Sequence, residues 1–133
     1  MSGERDLQKL LRGMRPELHP GPYVFTAVTA AAAPPGVAPV VTVAEAEGLT
    51  LVMTREEAER AGLGYDYEAA WITLRIHSAL DAVGLTAAVA TELAAAGLSC
   101  NVVAGFYHDH LFVPYEHADR ALAILEALAS PGA

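Results

Sequence analysis

At 133 residues, with 16 acidic against 8 basic side chains and a formal net charge of −8, the chain is the size of one ordinary domain and has the wrong sign for a phosphate backbone. It has no basic cluster, which excludes direct nucleic-acid binding, and its single cysteine, Cys100, excludes an internal disulfide. The opening MSGERDLQKLLRGM lacks the apolar run of a secretion signal, and the longest apolar region is broken by Pro34, Pro35 and Pro39, so a cytoplasmic protein without a membrane span is expected.

Leu7, Leu10, Leu11 and Met14 stand at helical spacing, and Pro16, Pro20 and Pro22 end that helix. Tyr23–Thr29 reads as a strand, followed by Ala30–Gly36, where two prolines and a glycine argue against a helix over the alanines. Val40–Ala46 and Leu49–Met53 read as two strands around a Glu47-Gly48 turn. Thr54 with Glu57 three residues on forms a capping box, and Glu56 and Glu57 suit the positive end of the helix that follows. That helix stops at Gly62 or Gly64.

In Trp71–His77 the apolar residues alternate: Ile72, Leu74 and Ile76 lie on one face, Trp71, Thr73, Arg75 and His77 on the other. The turn Ser78–Gly84 leads into Leu85, Val89, Leu93 and Ala96 at helical spacing, and Gly97 stops that helix. Leu98–Tyr107 reads as a strand, His108 and Asp109 as a hairpin turn, and Leu111–Tyr115 as the return strand. Glu116–Ala129 is an amphipathic helix with Leu122, Leu125 and Leu128 inward and Asp119, Ala123 and Glu126 outward.

Strand, helix, strand, strand, helix is most of a ferredoxin-like unit, an α+β fold with helices on one face of an antiparallel sheet. The element order, the HSALDAVGL turn, and the following AAVATELAAAGLSCNVVAGFYHDHLFVPYEHADRALAIL resemble an ACT domain. They are similar in particular to small stand-alone tandem ACT proteins of uncharacterised function and to the regulatory ACT pairs of aspartate kinases. The match covers roughly the last half of the chain. The first half resembles a degenerate or rearranged second lobe, so two lobes in tandem are expected, 1–64 and 65–133, packed as one body, with Gly62–Tyr67 as the spacer.

The resemblance implies a non-enzymatic regulatory protein, without a cofactor, that binds an amino acid at the interface of two lobes. The loop after the first strand and the strand after the first helix would hold it. Carried onto this chain, the matching positions are Ser78, Ala79, Leu80, Asp81, Ala82, Val83, Gly84 and Leu85, facing Asn101, Val102 and Val103. The residues support this independently: a helix N-terminus favours a carboxylate, Gly84 permits close approach, and Asp81 is suited to an α-ammonium group. Alternatively, Ser78 or Asp81 simply caps the helix and Gly84 allows the bend. No matching loop stands in the N-terminal half, leaving open a site within one chain or between two.

Open ACT-type sheet edges are normally covered, so a homodimer is expected. A purely structural dimerisation or protein-interaction module is the alternative function. A metal-binding protein using His108 and His110 is a weaker one, because a strand puts those two on one face with Asp109 opposite. Cys100 lies mid-strand without the accessible, electropositive setting of a nucleophile, and the chain has no glycine-rich phosphate loop, serine elbow or HExxH. No catalytic residue is therefore assigned. Trp71, Tyr65 and Tyr67 are expected to cluster at the lobe boundary.

Overall fold

The computed structural model describes residues 6–130. They form two compact units, one of residues up to Pro20 with those from Ala70 on, the other Gly21–Ala69. The expected lobes 1–64 and 65–133 are continuous stretches of chain, whereas the first unit takes one strand from the start of the chain.

In the first unit, α1 (Leu7–Gly13) starts at Asp6, whose Oδ1 accepts from the Lys9 backbone N–H at 3.2 Å. Pro16 ends this helix as expected and also opens an unexpected strand, β1 (Pro16–Leu18). Proline is tolerated at the first residue of an edge strand because no ladder donor is lost there. β1 pairs antiparallel with β5 (Glu68–Leu74), Pro16 opposite Leu74 and Leu18 opposite Ile72. β5 thus runs three residues earlier than the expected 71–77. Its Ala70, Ile72 and Leu74 are buried in the core, while Ile76 packs there from beyond the strand.

α3 (Leu85–Ala95) buries Leu85, Val89 and Leu93, as the spacing implied. Gly97, at φ +79°, turns the chain out of it. β6 (Asn101–Ala104) and β7 (Asp109–Pro114) pair antiparallel, with Asn101 opposite Phe112 and Ala104 opposite Asp109. The first of these strands is shorter than expected. The turn lies at Gly105–His108, one to three residues before the expected site, and Asp109 already belongs to β7. A short 3-10 turn at Tyr115–His117 leads into α4 (Ala118–Ala129). Its inward side is Ala121, Leu125 and Leu128 with Ile124, and Leu122 is only half-buried. The sheet order is β1-β5-β7-β6.

The second unit contains β2 (Tyr23–Val28), β3 (Val41–Glu45), β4 (Gly48–Thr54), α2 (Arg55–Arg60) and the first residues of β5. β2 pairs with β4, and β3 with β4 across a hairpin whose turn is Ala46 and Glu47, one residue before the expected Glu47-Gly48, because Gly48 already pairs with Glu45. Tyr23 and Val24 pair with Ala69 and Glu68. Val24, Leu51, Met53 and Ala58 form its core. Thr54 caps α2 as expected, its Oγ1 accepting from the Glu57 backbone N–H at 3.2 Å.

Numbering strands from β2 and from β5 respectively, each unit places them second, third, first, fourth. This is the ferredoxin-like order twice over. In the first unit the fourth strand is β1, and in the second unit residues 29–40 replace the first helix.

Candidate ligand-binding site

The chain after Leu74 becomes irregular for ten residues before α3 begins. Ala79 is buried, Ala82 packs on the core, and the Ala82 N–H donates to the Ala79 carbonyl at 3.0 Å. With Leu85 these anchors recur every three residues and pin the loop. The residues between them point outward: Leu80 is 67% and Val83 83% exposed, and Asp81 is exposed as well.

α3 has Gly84 as its N-cap, at φ +109°, so neither Ser78 nor Asp81 is its capping residue. The capping role that was the alternative for these side chains is not the one they have: a glycine in the left-handed region makes the entry turn itself. A Cβ on Gly84 would lie 3.1 Å from Leu7 Cδ2, so the space beside it is filled by α1.

The loop meets the β6–β7 hairpin at two points. Ser78 Oγ donates a long hydrogen bond, 3.5 Å, to Asp109 Oδ2. The His77 ring lies 6.3 Å from that of Phe106 and 5.9 Å from that of Tyr107, and those two meet edge-on at 5.0 Å. The hairpin tip is tight because the Gly105 N–H donates to the His108 carbonyl at 2.9 Å, where a Cβ on Gly105 would stand only 2.8 Å from that oxygen. The tip leaves Phe106 63% and Tyr107 66% exposed. Asn101 is exposed, Val102 packs on the core, and Val103 stands opposite His110.

Asp109 is half-buried, and burial raises its carboxyl above the ordinary range, opposed by the Ser78 hydrogen bond and by His110 and His108. Asp109, His77, Phe106 and Tyr107 were not among the residues assigned to the loop site. They lie more than twenty residues from it or just before it, and no spacing rule joins them. Chemically, the arrangement offers a carboxylate and a hydroxyl for an ammonium group, beside exposed apolar side chains.

His110 faces the other way, into a polar chain on the sheet. Trp71 Nε1 donates to His110 Nδ1 at 3.1 Å, Thr73 Oγ1 lies 3.1 Å from the same nitrogen, and His19 Nε2 lies 2.7 Å from Thr73 Oγ1. Among the described residues no three His, Cys, Asp or Glu side chains are grouped to hold a metal. Cys100 packs against the core, and burial raises its thiol. Tyr65 and Tyr67 line a shallow recess of about 700 Å³ in the second unit with Phe25. Trp71 belongs to the first unit and stacks on His19.

Models of the ACT domain match residues 2–70 and 66–127. A Vibrio cholerae protein of unknown function, described as a possible transport protein, is 48% identical over 93% of this chain and 96% of its own, with a TM-score of 0.82. A second structure, from Agrobacterium tumefaciens, is 20% identical over 87% of this chain and 89% of its own, with a TM-score of 0.67. The regulatory subunit of aspartate kinase from Thermus flavus is 10% identical over 98% of this chain and 100% of its own, with a TM-score of 0.60, a likeness of fold. No protein of curated function matches the chain. No helix among the described residues is long and apolar enough to cross a membrane.

Proposed function

Because the chain belongs to the ACT domain family, we propose that it is a non-enzymatic, cytoplasmic regulatory protein that binds an amino acid at Ser78–Leu85 and Asn101–Val103. The single observation that carries this reading is the junction of the loop with the hairpin. Ser78 meets the half-buried Asp109, and Leu80, Val83, Phe106 and Tyr107 remain exposed. A carboxylate held by a hydroxyl suits an α-ammonium group, and exposed apolar side chains suit the rest of an amino acid.

β6 ends the strand order of its sheet, and a second copy covering that edge gives the homodimer. The ligand regulates by preferring one association state. It shifts that equilibrium only by its difference in affinity between the two states.

A thermal-shift screen of the twenty amino acids, with common purines and pyrimidines, tests this. A ligand at 100 times its Kd stabilises by about 2.7 kcal/mol, roughly 10 °C for a chain of this length. One amino acid is expected to respond, and Asp109→Asn is expected to abolish that response while leaving the unliganded melting temperature near its starting value. Silence across the screen would favour the second reading, a structural dimerisation module, which the exposed Phe106 and Tyr107 also suit.

A further inference from the structure

The polar chain on the first unit's sheet has a fixed direction. An indole N–H only donates, so His110 Nδ1, 3.1 Å from Trp71 Nε1, must hold a lone pair, and the ring's one proton sits on Nε2. Thr73, 1% exposed, places its hydroxyl between the same Nδ1 and His19 Nε2. While both imidazoles are neutral, every group in the chain has a partner of the right kind. The Trp71 indole is enclosed further: His19 stacks on it with centroids 3.5 Å apart, and Phe112 stacks at 6.4 Å.

We propose that His110 is a proton-sensitive latch in this sheet: a proton on its Nδ1 displaces the Trp71 indole N–H and reverses the hydrogen bond of Thr73. The protonated ring can only donate. It can turn to Thr73 Oγ1 as acceptor, which sends the threonine proton toward His19 when that neutral ring carries its own proton on Nδ1 and leaves Nε2 to accept, but the indole N–H then has lost this acceptor. A second proton, on His19, would make both rings donors to one oxygen and leave the Thr73 proton without either ring as acceptor. The latch joins β5, which carries Trp71 and Thr73, to β7, which carries His110, and reaches His19 just past β1. His110 also adjoins Asp109, the partner of Ser78, so the latch sits one residue from the loop contact.

The charged and titratable groups facing the pair come from each neighbouring element. Asp109 and His108 flank His110 on the hairpin, Arg75 lies just beyond β5, and Glu17 of β1 faces His19. Arg75 Nε donates to Glu17 Oε1 at 2.6 Å, so those two charges largely answer each other. Burial is the largest cause lowering both imidazoles, in keeping with a neutral latch at pH 7.

Trp71 is the single tryptophan of the chain, so its fluorescence reports on this cluster, and variants separate His110 from the stacked His19. In the full chain, titration from pH 8 to 4.5 is expected to quench and red-shift the emission with a midpoint below 6.5, the ordinary imidazole value. His110→Asn, which offers a carbonyl oxygen in place of Nδ1 and cannot titrate, is expected to abolish that transition while His77→Gln leaves it in place. A parent without a transition, or a transition surviving in His110→Asn and lost in His19→Gln, would overturn the assignment. Should the asparagine variant not fold, nitrogen NMR of the parent decides. An unprotonated His110 Nδ1 at neutral pH, with the indole resonance moving as it protonates, supports the latch, and a protonated Nδ1 at neutral pH overturns it.

Discussion

The two units share one strand order but differ at the connection after their first strand. In the first unit that connection is a pinned loop followed by an eleven-residue helix, α3. In the second it is residues 29–40, without helix. A run of four alanines, Ala30–Ala33, stands there, and alanine is the best helix former, yet Pro34 and Pro35 remove two donors immediately afterwards. Ala33 and Val37 pack on the second core instead, and the Ala38 N–H donates to Glu57 Oε2 at 3.0 Å. A ferredoxin-like order of strands therefore survives the loss of a helix when a tethered loop covers part of its face. What it does not keep is the loop-into-helix junction on which the proposed site is built.

Core packing should reveal the difference most strongly. Leu93→Ala, in α3 at 0% exposure, is expected to cost about 2–5 kcal/mol. Val37→Ala, half-buried in the replacement loop, should cost no more than about 1 kcal/mol. Urea unfolding of both variants checks the pair, and equal losses would mean that the loop packs as a helix does. Glycine substitutions give the next contrast. Gly84→Ala combines φ +109° with the Leu7 side chain at 3.1 Å, and is expected to cost about 2 kcal/mol. Gly36→Ala has φ +83° but nothing within 4 Å, so only the backbone term, about 1 kcal/mol, remains. Equal melting shifts for the two would remove Leu7 from the explanation.

Acid and base should then separate the units. The folded state lowers His19 and His110 below 6.5, so the unfolded chain binds more protons as pH falls through that value. Stability held above pH 6.5 is lost progressively below it, until the folded-state imidazoles also protonate. In the second unit Tyr23, chiefly by burial, and Tyr65, chiefly by donating to Glu59, titrate above 10.0, so stability is lost as pH rises past 10. Hydrogen exchange followed by mass spectrometry should show acid opening first in β5 and β7, and alkali first in β2 and α2. Opening of both units together at either extreme would contradict this division.

What could be read in the chain follows the range of the interaction. The Thr54 cap of α2 and the Leu85-Val89-Leu93 stripe act within a few residues and stand as expected, and the turn expected at Glu47-Gly48 lies one residue earlier, at Ala46 and Glu47. β1 was illegible because three residues beginning with proline show no alternation, and its partner lies more than fifty residues on. The hairpin turn was displaced because Gly105 closes onto His108 through a backbone hydrogen bond that the polar pair His108-Asp109 does not advertise. At the candidate site, the loop itself was legible from its helix-opening position. Asp109 as the partner of Ser78 was not, since it lies 31 residues away.

The smallest contrast concerns caps. Thr54→Ala removes the side-chain acceptor at the start of α2 and its contact with Glu57, and should cost about 1 kcal/mol. Ser78→Ala in the first unit removes only a hydrogen bond of 3.5 Å, near the limit of useful geometry, and should cost under about 0.5 kcal/mol. A loss near 1 kcal/mol there would mean that Ser78 holds the loop structurally, which would weaken its assignment to a ligand. A small loss accompanied by a reduced amino-acid response would place Ser78 where a ligand, and not the fold, needs its hydroxyl.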